Sequence, residues 1–251
     1  MGTYFQTHTS DMSASLSCSS VANSISKMGT VVEKSSVDDT SNFIEQSKEE
    51  VESEAVSLLT YLFTKGKYGL VIEIAEELLG FYPNSVFLQN VLGEAYAFLG
   101  ENLKAISHFK AVLALEPKND EQFQSVFKPN VYNNIGIALK AVGFLEEAEE
   151  NLVAALKLNP DLASAYNNYG NLLNDKADLH GAQEKFLKAI DIEPTGYTAY
   201  WNQHSTVNEE KKAKAIIEQC LTHSPTFKDA VFTLAGLKAF AGNDSHFKSC
   251  H

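Results

Sequence analysis

The chain has 251 residues, of which 44% are apolar and 21% charged. That composition excludes a wholly disordered, collagen-like or membrane-embedded chain and suits one elongated domain or two small ones rather than a large enzyme. Lys and Arg number 20 against 32 for Asp and Glu, a formal charge of −12, which disfavours a broad phosphate-gathering face and hence a nucleic-acid partner.

Residues 1–50 form a Ser-rich stretch, with Ser13, Ser15, Ser17, Ser19 and Ser20 close together, in which no helical or strand period persists; it is expected to be a flexible tail. It holds no basic stretch followed by an apolar run, and no run of 18 apolar residues occurs anywhere, so a membrane partner is not expected. Cys18, Cys220 and Cys250 lack CxxC spacing, which argues against a disulfide framework or a structural zinc and for a reducing compartment. The expected location is cytoplasmic.

From residue 51 onward a helical period takes over, and its punctuation is proline. Pro83, Pro117, Pro160, Pro194 and Pro225 each follow a small or β-branched residue by twelve positions: Val71, Ala105, Ala148, Ala182 and Ala213. The spacings between successive prolines, 34, 43, 34 and 31, describe a 34-residue period with one nine-residue insertion and one three-residue deletion. A period of that length signals an array of helix pairs. The units are 52–85, 86–119, 129–162, 163–196 and 197–227, with a final helix over 228–241.

In the three best-preserved pairs the first helix carries a glycine, Gly93, Gly136 or Gly170, opposite a small residue of the second helix, Ala105, Ala148 or Ala182. Bulk at either position would force the helices apart. Gly66, Gly100, Gly143 and Gly242 fall where first helices must stop, because glycine takes the left-handed conformation common at a helix C-terminus; one unit has Ala177 instead. Unit 52–85 departs from the pattern with Leu59 and Val71, and unit 197–227 with Gln203 and His204. The insertion, 120–128, is expected either to extend a helix or to form a bulging loop.

The best-preserved segments, Gln89-Asn-Val-Leu-Gly-Glu-Ala-Tyr96, Tyr132-Asn-Asn-Ile-Gly-Ile-Ala-Leu139 and Tyr166-Asn-Asn-Tyr-Gly-Asn-Leu-Leu173, followed by Ala and a large apolar residue in the second helix and by the closing proline, resemble the tetratricopeptide repeat. The resemblance covers about residues 52–242. It implies an all-α fold, a right-handed superhelical α-solenoid whose first helices line a concave surface.

On that surface Asn134, Asn168 and Asn202 recur one repeat apart, with Asn133 and Asn167 beside the first two and Asn90 one unit earlier. A carboxamide both donates and accepts, so a row of them at the repeat spacing suits the backbone of an extended peptide. The row is similar to the asparagine ladder of O-linked N-acetylglucosamine transferases, where that column binds polypeptide substrate. The similarity reaches Asn134, Asn168 and Asn202 only, since Ser57 and Val91 hold the column earlier. The alternative is that these are consensus residues bonding along their own helices. Glu94, Lys140, Asn171, Asn174, Asp175 and Trp201 are neighbouring groove candidates, with Trp201 either an aromatic anchor or packing at a distorted unit. Lys140 alone on that face disfavours the paired-cation carboxylate clamp of some tetratricopeptide proteins.

No catalytic motif, phosphate loop or metal-ligand spacing occurs, so no catalytic residue, cofactor or metal is expected; His246, Cys250 and His251 lack a fourth ligand. The run Glu146 to Glu150 reads as a solvated helix face. The reading is a protein-interaction scaffold taking a protein or peptide partner. The alternative is the substrate-recognition region of a glycosyl-, methyl- or sulfotransferase whose catalytic domain is not in this chain. The final helix has no following partner, so its apolar face is a candidate surface for homo-oligomerisation.

Overall fold

The computed structural model describes residues 55–115, 120–206, 210–231 and 233–234. The Ser-rich stretch, Pro117, Gly242, residues 235–241 of the last expected helix and the His246, Cys250 and His251 group lie outside the described residues. Among the described residues the regular structure is helical and no strand occurs. The chain divides into two units, residues 1–101 and 102–251, with the division inside the repeat 86–119.

In the first unit, α1 (55–64), α2 (Tyr68–Phe81) and α3 (Val86–Phe98) follow in order. Leu58, Leu59, Val71, Ala75, Leu78 and Leu92 are buried, so the larger Leu59 and Val71 still occupy core positions. Phe63, Tyr68 and Phe98 form an aromatic group in which Tyr68 and Phe98 stack with centroids 4.7 Å apart. Ser85 caps α3, its Oγ accepting from Leu88 N at 3.3 Å, which satisfies one of the orphan donors of the first turn.

The second unit contains α4 (Asn102–Ala114), α5 (Lys128–Ala141), α6 (Leu145–Leu158), α7 (Ala163–Asp175), α8 (Leu179–Ile192), α9 (Tyr197–His204) and α10 (Glu210–His223). The closest pairs are α5 with α6 and α7 with α8. The glycine column explains the closeness. A Cβ on Gly170 would lie 2.5 Å from Phe186 Cε1, and one on Gly136 would lie 2.8 Å from Leu152 Cγ.

One turn chemistry recurs after four of the first helices. After α1, Lys67 N donates to Leu62 O and Gly66 N to Phe63 O; after α3, α5 and α7 the same two bonds form from Glu101 and Gly100, Phe144 and Gly143, and Asp178 and Ala177. The pattern ends these four first helices by satisfying their last carbonyls, and it needs one left-handed residue. Gly66, Gly100 and Gly143 supply it, and Ala177 adopts it at φ 61°.

The insertion extends a helix. Helical backbone runs from residue 121 into α5 through a π-turn at Phe123–Phe127, where Lys128 N donates to Phe123 O. Asp120 caps it, its Oδ1 accepting from Phe123 N at 2.9 Å. Pro129 explains the wide turn: it has no N–H for the carbonyl four residues back, and its ring would clash with that carbonyl in a regular helix. Asn130 Nδ2 donates to Val126 O at 2.7 Å and so satisfies a carbonyl beside the irregularity.

Helix α9, with 8 residues, is shorter than the 13 to 14 of the other first helices of this unit. The glycine column there holds His204, whose Nδ1 bonds Trp201 O within the helix. Residues 207–209, in the uncertain boundary around the three-residue deletion, lie outside the described residues. Beyond them Ile217, Cys220 and Ala230 form a small core with Tyr200, Trp201 and Phe227 against it.

Candidate functional site: the asparagines of the first helices

Within the second unit, α5 touches α7 and α7 touches α9, whereas the second helices α6, α8 and α10 meet at most glancingly. First helices drawn together on one side and second helices splayed on the other make the first-helix side concave. The asparagines lie where neighbouring first helices meet.

They are bonded to one another across repeats. Asn168 Nδ2 on α7 donates to Asn133 Oδ1 on α5 at 2.9 Å, and Asn202 Nδ2 on α9 donates to Asn167 Oδ1 on α7 at 2.9 Å. Asn133 Nδ2 completes a relay with a long contact, 3.5 Å, to Asn134 Oδ1. Asn133 is only 3% exposed, so it is a buried polar side chain satisfied on both sides, and it reaches a ligand only through its neighbours. Asn134, Asn168 and Asn202 are half-buried. Each keeps one polar atom without a partner among the described residues: Asn134 Nδ2, Asn168 Oδ1 and Asn202 Oδ1.

Lys140 and Asp175 join the same seam, with Lys140 Nζ 2.7 Å from Asp175 Oδ2. The single cation expected on this face is therefore already neutralised. Asn171 and Asn174 are half-buried, with no side-chain hydrogen bond among the described residues. Asn90 belongs to the first unit, where its Nδ2 donates to Glu94 Oε1 at 3.0 Å. Burial pushes the Glu94 carboxyl above its ordinary range, and the bond from Asn90 opposes that shift. Trp201 is half-buried and sits edge-on to Phe227, with centroids 5.2 Å apart.

One polar node was not expected from the sequence. Glu149 on α6 accepts from Lys176 Nζ and from Tyr169 Oη, each at 2.7 Å, while Lys185 Nζ on α8 lies 5.4 Å from the Tyr169 ring centroid. The Lys176 and Tyr169 bonds hold the Glu149 carboxyl below its usual range; burial and the Glu149 bond push the Tyr169 hydroxyl up to about 12. The partners lie 20 and 27 residues apart, so no local motif announces them. The asparagine bonds do have a sequence signal: the Asn-Asn pairs 133–134 and 167–168, the first residue of each meeting the asparagine 35 positions later, Asn168 and Asn202.

Among the described residues no group of three His, Cys, Asp or Glu side chains could hold a metal ion, and no helix is long and apolar enough to cross a membrane. Cys220 is buried, its Sγ donating to Tyr197 O at 3.4 Å, and burial pushes its thiol up, the opposite of what a nucleophilic cysteine needs.

A family model for the tetratricopeptide repeat matches residues 88–119, 129–162 and 163–195, the three units whose glycine and alanine columns are intact. The chain carries tetratricopeptide repeats. No curated protein sequence matches it. Among solved structures its tetratricopeptide fold is similar to the thermophilic protein TTC0263 of Thermus thermophilus, at 19% identity over 75% of this chain and 99% of that one, with TM-score 0.61. It is also similar to PilF of Pseudomonas aeruginosa, at 17% identity over 78% and 90% of the two chains, with TM-score 0.61. A third is YrrB, described as a tetratricopeptide protein with an unusual peptide-binding site, at 16% identity over 78% and 97%, with TM-score 0.52. At these identities the likeness establishes the tetratricopeptide fold and nothing finer.

Proposed function

We propose that this chain is a non-catalytic protein-interaction scaffold whose second unit binds an extended peptide along α5, α7 and α9. The observation that carries the reading is the row of open atoms left after the asparagines have bonded to each other: the donor Asn134 Nδ2 and the acceptors Asn168 Oδ1 and Asn202 Oδ1. A peptide backbone offers both kinds of partner at regular intervals regardless of its sequence. The peptide-binding site of YrrB, a similar fold, supports the reading. The Lys140–Asp175 pair turns it away from ligands gripped by a free C-terminal carboxylate, since that grip needs an unpaired cation.

The test is a random library of unstructured twelve-residue peptides, selected on the purified chain and measured by titration. With each hydrogen bond contributing about 1 kcal/mol, the triple variant Asn134→Ala, Asn168→Ala, Asn202→Ala is expected to weaken many unrelated peptides by about tenfold to a hundredfold with helicity retained. Undiminished binding would remove the asparagines from the site.

A further inference from the structure

Asn133 and Asn167 belong to the same seam but hold different stations from the open asparagines. Asn133 is buried, and the Oδ1 of each is occupied by a carboxamide from the next repeat. We infer that Asn133 and Asn167 are positioning residues that couple the orientations of the open carboxamides, and that Asn133 forces Asn134 and Asn168 to present atoms of opposite kind. The inference rests on the peptide reading above and deepens it.

The argument is one of complementarity. An isolated Asn carboxamide can turn over and exchange its oxygen and nitrogen at little cost. Asn168 cannot do so alone, because turning would set its Oδ1 against Asn133 Oδ1, an acceptor against an acceptor inside a half-buried contact. Turning Asn133 as well would set its oxygen against Asn134 Oδ1. Only a concerted turn of all three keeps every contact, and that turn exchanges the open atoms of Asn134 and Asn168 together. In either arrangement one presents a donor and the other an acceptor.

A ligand must then offer an acceptor to one helix and a donor to the next. A peptide group carries both, whereas a phosphate or carboxylate only accepts and an ammonium or guanidinium only donates. The relay therefore selects main chain over charged side chains, and it does so through a residue that the ligand does not touch. At the second rung Asn167 does for Asn202 half of what Asn133 does: it couples the Asn202 carboxamide to its own, here with Asn202 Nδ2 turned inward and Oδ1 open. At the following station the same column holds Trp201, whose ring has no acceptor oxygen and packs on Phe227, so the relay ends there.

The test has two arms. In the first, proton exchange of the Asn168 carboxamide is followed by NMR in the wild-type chain, Asn133→Leu and Asn133→Asp. Slow exchange is expected in the wild type and in Asn133→Asp, which keeps an acceptor, and fast exchange in Asn133→Leu; equal exchange in all three overturns the inference. Asn167→Leu, read at Asn202, repeats the test where Asn133→Leu fails to fold. In the second arm, the tightest peptide from the random library is titrated. Asn133→Leu is expected to weaken it about fivefold to tenfold in the wild-type background and by clearly less beside Asn168→Ala, where only Asn134 is left for Asn133 to position. An undiminished effect beside Asn168→Ala overturns the positioning role. A wild-type chain that selects no peptide removes the peptide reading itself, while the exchange arm still decides whether Asn133 holds the carboxamides.

Discussion

Asn168 Nδ2 lies 2.9 Å from Asn133 Oδ1, across an offset of 35 residues, and Asn202 and Asn167 repeat the bond at the same offset and length. The offset is the 34-residue period plus one, so Asn168 and Asn202 each meet the first asparagine of the Asn-Asn pair in the preceding repeat. Lys140 and Asp175 share that offset two helical turns further along α5 and α7. Two polar ties seven residues apart on one helix edge hold those first helices in a single register.

Close packing at the glycine column gives the first prediction. On Gly170 a Cβ would lie 2.5 to 2.9 Å from three ring atoms of Phe186, itself fully buried, so the ring has nowhere to retreat. Gly170→Ala is expected to destabilise the chain by about 1–2 kcal/mol, an overpacking cost of about 1–3 kcal/mol offset by a helix-propensity gain of up to about 1 kcal/mol. Gly80→Ala is the control: it is in α2, exposed, with nothing within 4 Å of the added carbon. It is expected to stabilise by a few tenths to about 1 kcal/mol. Urea denaturation of both variants checks the pair, and a loss at Gly80 would contradict the argument.

The left-handed turn at Ala177 gives the second. Ala177 sits at φ 61°, where the other three turns use glycine. A β-carbon there costs about 1–2 kcal/mol, while glycine adds about 0.4–1 kcal/mol of unfolded-state entropy to be lost. Ala177→Gly is therefore expected to raise stability by about 0.5–1 kcal/mol, seen as a higher melting temperature with unchanged helicity. A drop would mean that the turn does not require the left-handed residue.

The Glu149 node gives a pH dependence with a defined sign. The carboxyl is held below its ordinary value of 4.5, first by Lys176 and then by Tyr169. A depressed folded pKa contributes stability that is fully present above the unfolded value and is lost as pH falls through the folded one. Tyr169, pushed up to about 12 from 10.0, contributes below 10.0 and loses that contribution as pH rises towards 12. Glu149→Gln removes the acid-side loss. The difference in urea midpoint between neutral pH and about pH 3.5 should be smaller in the variant than in the wild-type chain; an equal difference would place the acid sensitivity elsewhere.

Much of the fold was legible in the chain before any coordinates. Proline spacing located the units because proline lacks an N–H and restricts the residue before it, so its effect is local. Gly136 and Gly170 marked the closest helix approaches for a reason equally local, the missing side chain. Gly66, Gly100 and Gly143 marked the turns, and Ala177 showed that the turn tolerates a substitute. The insertion was ambiguous because a π-turn is an accommodation between a proline and the carbonyls before it, and no periodicity distinguishes it from a loop.

The candidate site was legible in part. Composition and spacing placed Asn134, Asn168 and Asn202 in one column, because a helical array maps a sequence period onto a spatial row. The same spacing could not show that Asn133 is buried, that Lys140 is neutralised by Asp175 or that Trp201 packs on Phe227, since each depends on how far one helix is rotated against the next. By itself the sequence determined helix positions, turn chemistry and the repeat, all fixed by backbone preferences acting over a few residues. Only the tertiary structure decided which carboxamide atoms are spent between repeats and which remain open, because hydrogen bonds between side chains 35 residues apart depend on angstrom-scale packing that no local pattern encodes.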